Sequence, residues 1–299
     1  MQAMLLAAGL GTRLRPYSDI RPKPLFPVLN RPLLLLLIDM LRGAGCGTIV
    51  VNGHHLRSQV EQAISGLPDV QYQDEPEILG TGGSLRQALP RFSPGPLLVM
   101  NADICHDVDI AALYRHHRRA GNAVTMALHD YPRFNTVAVQ GPVVASFSPG
   151  HSETGGGRLA FTGIQVVEPE IIRRIPPGRF FHIIDLYREL IREGGRIGYL
   201  GVDGSFWRDI GTPADYLQVH ADLLTGSRPY FLPLASPASP WLVDPEAAMG
   251  ENVRLEGWGC VGRAQIGAGA VLRNCVVWDG AVIPPGSRLC DGIVPGSGK

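Results

Sequence analysis

Met4–Val28 reads MLLAAGLGTRLRPYSDIRPKPLFPV, and its opening decides the fold class. An apolar run from Ala3 to Ala8 is a buried strand, and it ends in Gly9-Leu10-Gly11-Thr12-Arg13. Glycines let a backbone approach an anion closely and offer unblocked N–H groups to it. Thr12 adds a hydroxyl donor, and Arg13, Arg15 and Lys23 bring positive charge to the same end of the strand. A polyphosphate suits such a place, held by backbone amides and neutralised by cations. No Gly-Lys-Ser/Thr triplet follows, so this is not a Walker loop. A dinucleotide fingerprint needs a third glycine and an unbroken helix, and Pro16 interrupts the latter.

Outward from this stretch, strand-like and helix-like segments alternate. Thr48–Asn52, Val70–Gln73, Leu97–Met100, Ala123–Leu128 and Ile197–Leu200 read as strands. Segments 32–42, 56–64, 84–89, 110–119, 185–193 and 213–224 read as helices, the first and last with proline in the first turn. This alternation predicts an α/β fold, a Rossmann-like and mostly parallel sheet with helices on both faces, whose ligands bind at the carboxyl ends of the strands. Gly9–Arg13 and Asn101–Asp103 both fall at such ends. Polar, glycine-rich residues 152–158 predict a mobile loop, and RPYFLPLASPASP after Gly226 a surface linker. From residue 250 onward Val271, Val277, Ile283 and Leu289 recur every six residues, beside a second set of Ala270, Val276 and Val282. That period predicts a short parallel β-helix of about two coils. The division expected is residues 1–226, a linker over 227–249, and a repeat domain over 250–299.

Composition narrows the function. Lys+Arg and Asp+Glu are 27 each, so no basic field points to nucleic acid. The run from Leu33 to Ile38 is too short to span a bilayer, and no basic leader precedes the first strand. Five scattered cysteines without a C-x-x-C pair suit free thiols in a reducing compartment, so the cytoplasm is expected.

The string Gly-x-Gly-Thr-Arg-Leu-x-Pro, followed by Pro22-Lys23-Pro24, resembles the signature of the sugar-1-phosphate nucleotidyltransferases, and the repeat resembles the left-handed hexapeptide domains attached to some of them. The resemblance implies transfer of a nucleotidyl group from an NTP to a sugar 1-phosphate with Mg²⁺. It implies that Ala8, Gly9, Gly11, Thr12 and Arg13 hold the nucleotide phosphates. Arg13, Lys23 and Asp103 would be catalytic, and Lys23 would also meet the sugar phosphate. Asp103 in LLVMNAD and Asp209 in FWRDIGTP match the family's metal-binding aspartates. The bland readings are a helix cap for Asp103 and a turn before a proline-started helix, N-capped by Thr212, for Asp209.

ILGTGGSLRQAL resembles the base-binding loop, with Gly80, Thr81 and Gly82 in the motif and Gly82 replacing the usual alanine. Glu75 either meets the base or ribose or is a solvated loop carboxylate. Thr162 and Gly163 in FTGI match the strand that contacts the sugar, and Asp185 falls where an acidic residue meets the sugar or simply caps a helix. Many members carry Glu-Lys-Pro before the sugar strand; this chain has Ser146-Phe147-Ser148-Pro149. Sugar-phosphate binding then rests on Lys23, Arg13 and Arg158. His54-His55 reads as structural or pocket-lining, and His116-His117 as a solvated face. A non-catalytic paralogue that binds a nucleotide sugar is the alternative, and the short repeat implies a homo-oligomer, a dimer first.

Overall fold

A computed structural model describes residues 1–147, 157–226 and 239–296. The expected mobile loop over 152–158, apart from Gly157 and Arg158, lies outside the described residues. So do residues 227–238 of the linker. Two compact units emerge: Met1–Gly9, Leu41–Ala102 and Val108–Ser205 form one; Leu10–Met40, Asp103–Asp107 and Phe206–Lys299 the other.

The first unit is built on a nine-stranded sheet. Its strands run in the order Val70–Asp74, Thr48–Gly53, Gln2–Leu6, Leu97–Asn101, Arg158–Val167, Val124–His129, Ile197–Gly201, Val143–Phe147, Asn135–Gln140. The first four are mutually parallel, as the strand–helix alternation predicts. The other half is not. Arg158–Val167 runs antiparallel to both its neighbours, and only Val124–His129 with Ile197–Gly201 is parallel there. The mostly parallel sheet is therefore corrected to a mixed one. Among the described residues no helix falls between Val124–His129 and Arg158–Val167, and a parallel return requires a crossover. Met4, Val50, Val99, Met126 and Leu128 lie wholly buried in the core of this unit. The helix Ile110–Ala120 shows how local chemistry sets its ends: Asp109 Oδ1 accepts from Ala112 N at 2.8 Å, and Gly121 closes it. His117, expected on a solvated face, is buried against Thr125 Oγ1 (2.9 Å) and Glu168 (3.2 Å).

The second unit carries the repeat. Trp241–Val243, Arg254–Val261, Val271–Val277 and Arg288–Val294 stack in parallel, beside a second parallel stack of Ala248–Met249, Gln265–Ile266 and Val282–Ile283. Arg254 pairs with Val271 and Val271 with Arg288, a step of 17 residues, so roughly three six-residue periods make one coil. The stack includes Trp241–Val243 and thus exceeds the two coils expected. Its core holds Val261, Leu272, Val277 and Ile283. The helix Pro213–Leu224 starts as expected, with Thr212 Oγ1 accepting from Asp215 N at 3.1 Å. No helix among the described residues is long and apolar enough to cross a membrane.

Two wholly buried histidines in this unit make stability depend on pH. His220 Nε2 accepts from Leu29 N (3.4 Å), so Nδ1 carries the proton given to Tyr216 O (3.0 Å). Burial pushes His220 down to about 4 and His106 to about 3. Above the unfolded value near ~6.5 both states are neutral and nothing changes. Below it the unfolded chain binds protons that the native state refuses, so stability falls with pH. Between pH 6.5 and 5 each histidine is expected to cost about 2 kcal/mol. Urea titrations across that range check this; a pH-independent midpoint would contradict it.

Candidate active site

The second unit brings together four side chains that lie far apart in the chain. Asp103 follows the Leu97–Asn101 strand by two residues and leads into the short strand Ile104–His106. That strand pairs antiparallel with Trp207–Asp209, Ile104 opposite Asp209, and Ile210 N donates to Asp103 O at 3.2 Å. Asp107 clamps the far end: its Oδ1 accepts from Phe206 N (2.7 Å), and its own N–H donates to Phe206 O (3.1 Å). The two aspartates are thereby fixed at one end of a two-stranded ladder. Lys23 Nζ donates to Asp103 Oδ2 at 2.7 Å and to Asp209 Oδ1 at 3.0 Å. Arg13 pairs with Asp209 Oδ2 at 3.7 Å.

Exposure divides these groups. Only 9% of the Lys23 side chain is exposed, whereas 61% of Arg13 is. Arg13 is thus free to follow a ligand, and Lys23 is built in. The backbone around Lys23 is stiff: prolines flank it, and Leu25 N and Phe26 N close a turn on Pro22 O and Lys23 O. A Cβ at Gly211 would displace the Asp209 carboxylate and the Arg13 guanidinium. Asp209 therefore ends a strand, while the turn and capped helix that follow it belong to Gly211, Thr212 and Pro213.

Two carboxylates converging on one ammonium form a cradle for positive charge. Both offer hard oxygen donors, as Mg²⁺ requires, and among the described residues no group of three or more His, Cys, Asp or Glu is placed to hold a metal ion. Mg²⁺ commonly takes one or two carboxylates and completes its shell with water and phosphate. Asp103 and Asp209 fit that pattern.

Gly11 and Thr12 also belong to the second unit, and the first holds the remaining expected residues. Ala8 and Gly9 follow the Gln2–Leu6 strand, and Ala7 N, just ahead of them, donates to Asn52 Oδ1 at 2.7 Å. Asn52 Nδ2 reaches Glu75 Oε1 (2.9 Å) and Ser84 Oγ (3.1 Å), and Gln73 Nε2 also donates to Glu75 Oε1 (2.9 Å). Ser84 Oγ donates to Glu75 Oε2 at 3.0 Å. Glu75 is therefore neither solvated nor open to a base; it is buried and ties the phosphate-loop strand to the helix Gly80–Ala88. No motif marks Asn52, Gln73 or Ser84; the one local signal is the polar Asn52 closing the apolar run Ile49-Val50-Val51.

Gly82 and Gly83 donate their N–H groups to Phe181 O (2.8 and 3.2 Å), and Thr81 Oγ1 accepts from Ile183 N (3.1 Å). A Cβ on Gly80 or Gly82 would meet Phe181 O. These glycines let the loop pack on its neighbour. Thr162 is buried, its hydroxyl donating to Ala127 O (2.9 Å) and accepting from Ile164 N (3.2 Å). Gly163 has φ +82°, and its close approach is to Asn101. Asp185, in the first turn of Ile183–Arg192, pairs with Arg188 at 2.8 Å instead of capping that helix. Arg158 reaches Thr136 O (3.2 Å), and His54 Nδ1 meets Glu75 O (2.8 Å). Ser148 and Pro149 lie outside the described residues.

The Glu75 network predicts a stability effect. Glu75→Ala removes the acceptor of Ser84 Oγ and one of the two acceptors of each of Asn52 Nδ2 and Gln73 Nε2, all buried, a loss on the order of 3 kcal/mol. Denaturant titration checks this; a change below about 1 kcal/mol would show that the network relaxes freely.

The chain is similar to known proteins in sequence and in fold. Residues 2–226 match the family described as Nucleotidyl transferase. The mannose-1-phosphate guanylyltransferase of Mycobacterium tuberculosis is 31% identical over 303 residues, 96% of this chain and 82% of that protein. The N-acetylmuramate alpha-1-phosphate uridylyltransferase of Neisseria meningitidis is 30% identical over 71% of this chain and 94% of its own length. The crystal structure of HddC from Yersinia pseudotuberculosis superposes with a TM-score of 0.61 at 23% identity, over 73% of this chain and 97% of that one, a likeness of fold. The signature glycines, the lysine between prolines and the paired aspartates thus sit in a matched sequence, and the chain belongs to the nucleotidyl transferase family of sugar-1-phosphate nucleotidyltransferases.

Proposed function

We propose that the chain transfers a nucleotidyl group from an NTP to a sugar 1-phosphate and releases pyrophosphate, with GTP and mannose 1-phosphate as the first pair to test. The observation that carries this is the convergence of Lys23, Asp103, Asp209 and Arg13. The sugar phosphate, with a second pKa near ~6, is already mostly a dianion at pH 7, so no general base is needed. One of its oxygens attacks the α-phosphorus; that P–O bond forms as the bond to pyrophosphate breaks.

Backbone and hydroxyl groups of Gly11 and Thr12 hold the β- and γ-phosphates, with Arg13. Arg13 neutralises the departing pyrophosphate, and Lys23 the charge on the α-phosphoryl oxygens. Asp103 and Asp209 would hold Mg²⁺, which supplies charge neutralisation when bound. Gly80, Thr81 and Gly82 shape the base-binding loop, braced by Glu75; Gly163 and Asp185 meet the sugar, and Thr162, whose hydroxyl is used by Ala127 O and Ile164 N, holds its strand in place. Mannose 1-phosphate leads because the Mycobacterium tuberculosis relative bearing that name matches 96% of this chain at 31% identity. UTP with N-acetylmuramate 1-phosphate is the second reading, favoured by the missing Glu-Lys-Pro lysine.

Pyrophosphate release from GTP, UTP, ATP, CTP and dTTP against these sugar phosphates tests the proposal. Release from one pair, abolished by EDTA, supports it. Nucleotide-sugar binding without release from any pair would establish the non-catalytic alternative. The free cysteines support a cytoplasmic location. A homo-oligomer, a dimer first, is also proposed. Arg288–Val294 ends its stack with an open edge among the described residues, and such edges tend to be covered. Light scattering is expected to give twice the mass of the 299-residue chain; a monomer would refute it.

A further inference from the structure

We infer that Trp278, in the repeat, is a positioning residue for Lys23: the tail forms part of the framework of the catalytic signature. This rests on the role proposed for Lys23. Trp278 is almost fully buried and touches the signature on both sides of that lysine. On one side the Arg21 guanidinium lies over its ring, 4.8 Å from the centroid. On the other the Phe26 ring meets it nearly edge-on at 4.8 Å and 65°. Lys23 stands between these contacts, and its stiff turn passes the position of Phe26 directly to its own backbone.

Trp278 is itself held in place. Its Nε1 donates to Tyr216 Oη at 3.1 Å, and its backbone N–H to Val294 O at 2.9 Å. Tyr216 in turn donates its hydroxyl to Pro27 O. Asn30 Nδ2 donates to Val261 O at 2.9 Å, a second tie from the same segment to the repeat. Burial lowers the Arg21 pKa, with Asp279 acting against the shift, which agrees with a guanidinium enclosed by the tail. Compactness gives the same grouping, since Leu10–Met40 and the repeat belong to one unit. An ammonium that must stay with two carboxylates has little tolerance: a misplacement of about 1 Å can cost roughly a hundredfold in rate.

The test combines hydrogen exchange, which needs no substrate, with kinetics on GTP, mannose 1-phosphate and Mg²⁺. In Trp278→Ala, amides of residues 17–26 should exchange at least ~10-fold faster while the Leu97–Asn101 strand keeps its protection. Turnover should fall at least ~10-fold with the KM for GTP changed less than ~3-fold. In a Lys23→Ala background the same substitution should add less than ~2-fold, because the group it positions is gone. Leu272→Ala, in the core of the repeat, should lower the melting temperature yet keep kcat. Trp278→Phe, which keeps an aromatic edge on Phe26, serves if the alanine variant unfolds, with effects in the same direction.

Unchanged protection at 17–26 in a folded variant would overturn the inference. So would an equal rate loss with and without Lys23. Should the wild-type chain release no pyrophosphate from this pair, the functional reading fails separately, and the exchange result alone decides.

Discussion

Lys23→Ala is expected to lower kcat/KM at least ~30- to 150-fold, about 2–3 kcal/mol of transition-state stabilisation. The structure sharpens the reason. The ammonium touches two carboxylates at 2.7 and 3.0 Å from a side chain almost closed to solvent. Its removal takes positive charge from the developing phosphoryl charge and also leaves Asp103 and Asp209 to repel each other. The backbone turn on Pro22 and Lys23 carbonyls needs no lysine side chain, so the variant should fold. Lys23→Arg should recover no more than about a tenth of the wild-type rate, since a planar fork does not replace a compact ammonium in a closed space. Steady-state pyrophosphate release on the active pair measures both. An alanine variant with at least about half of the wild-type rate, less than ~0.5 kcal/mol of change, would remove Lys23 from the mechanism.

Much of this site was legible locally. Gly9–Arg13, Lys23 between prolines, and Asp103 after an apolar run stand in contiguous strings whose chemistry can be read without knowing where the chain goes next. The helix Pro213–Leu224 was equally plain, because Thr212 and Pro213 are start signals in themselves. What escaped depends on distant partners. Glu75 looks like a loop carboxylate until Asn52, Gln73 and Ser84 surround it. His117 looks solvated among arginines until Thr125 and Glu168 receive it. The antiparallel half of the sheet follows from the connections between strands, which a strand pattern alone does not display. Trp278 reads as one more residue of a six-residue repeat, and nothing near it in sequence points to Phe26 or Arg21.

Asp103→Asn is expected to abolish turnover while the chain stays folded. The substitution keeps size and shape, and its amide oxygen still accepts from Lys23 Nζ, so the contact at 2.7 Å survives as a weaker, uncharged hydrogen bond. Asp103 O, which receives Ile210 N, is backbone and unaffected. What disappears is one of the two negative charges able to hold a divalent cation. A neutral amide is a poor substitute for a carboxylate toward a hard ion. Asp209→Asn should be comparably damaging, with the Arg13 ion pair lost as well. Calorimetric titration with Mn²⁺ separates metal loss from other causes: wild type should bind in the presence of nucleotide, and each asparagine variant should bind at least ~10-fold more weakly, about 1.4 kcal/mol. An Asp103→Asn variant that keeps more than about a tenth of the wild-type rate, a barrier change under ~1.4 kcal/mol, would mean that the carboxylate serves only to hold Lys23. The cation would then have to be held elsewhere.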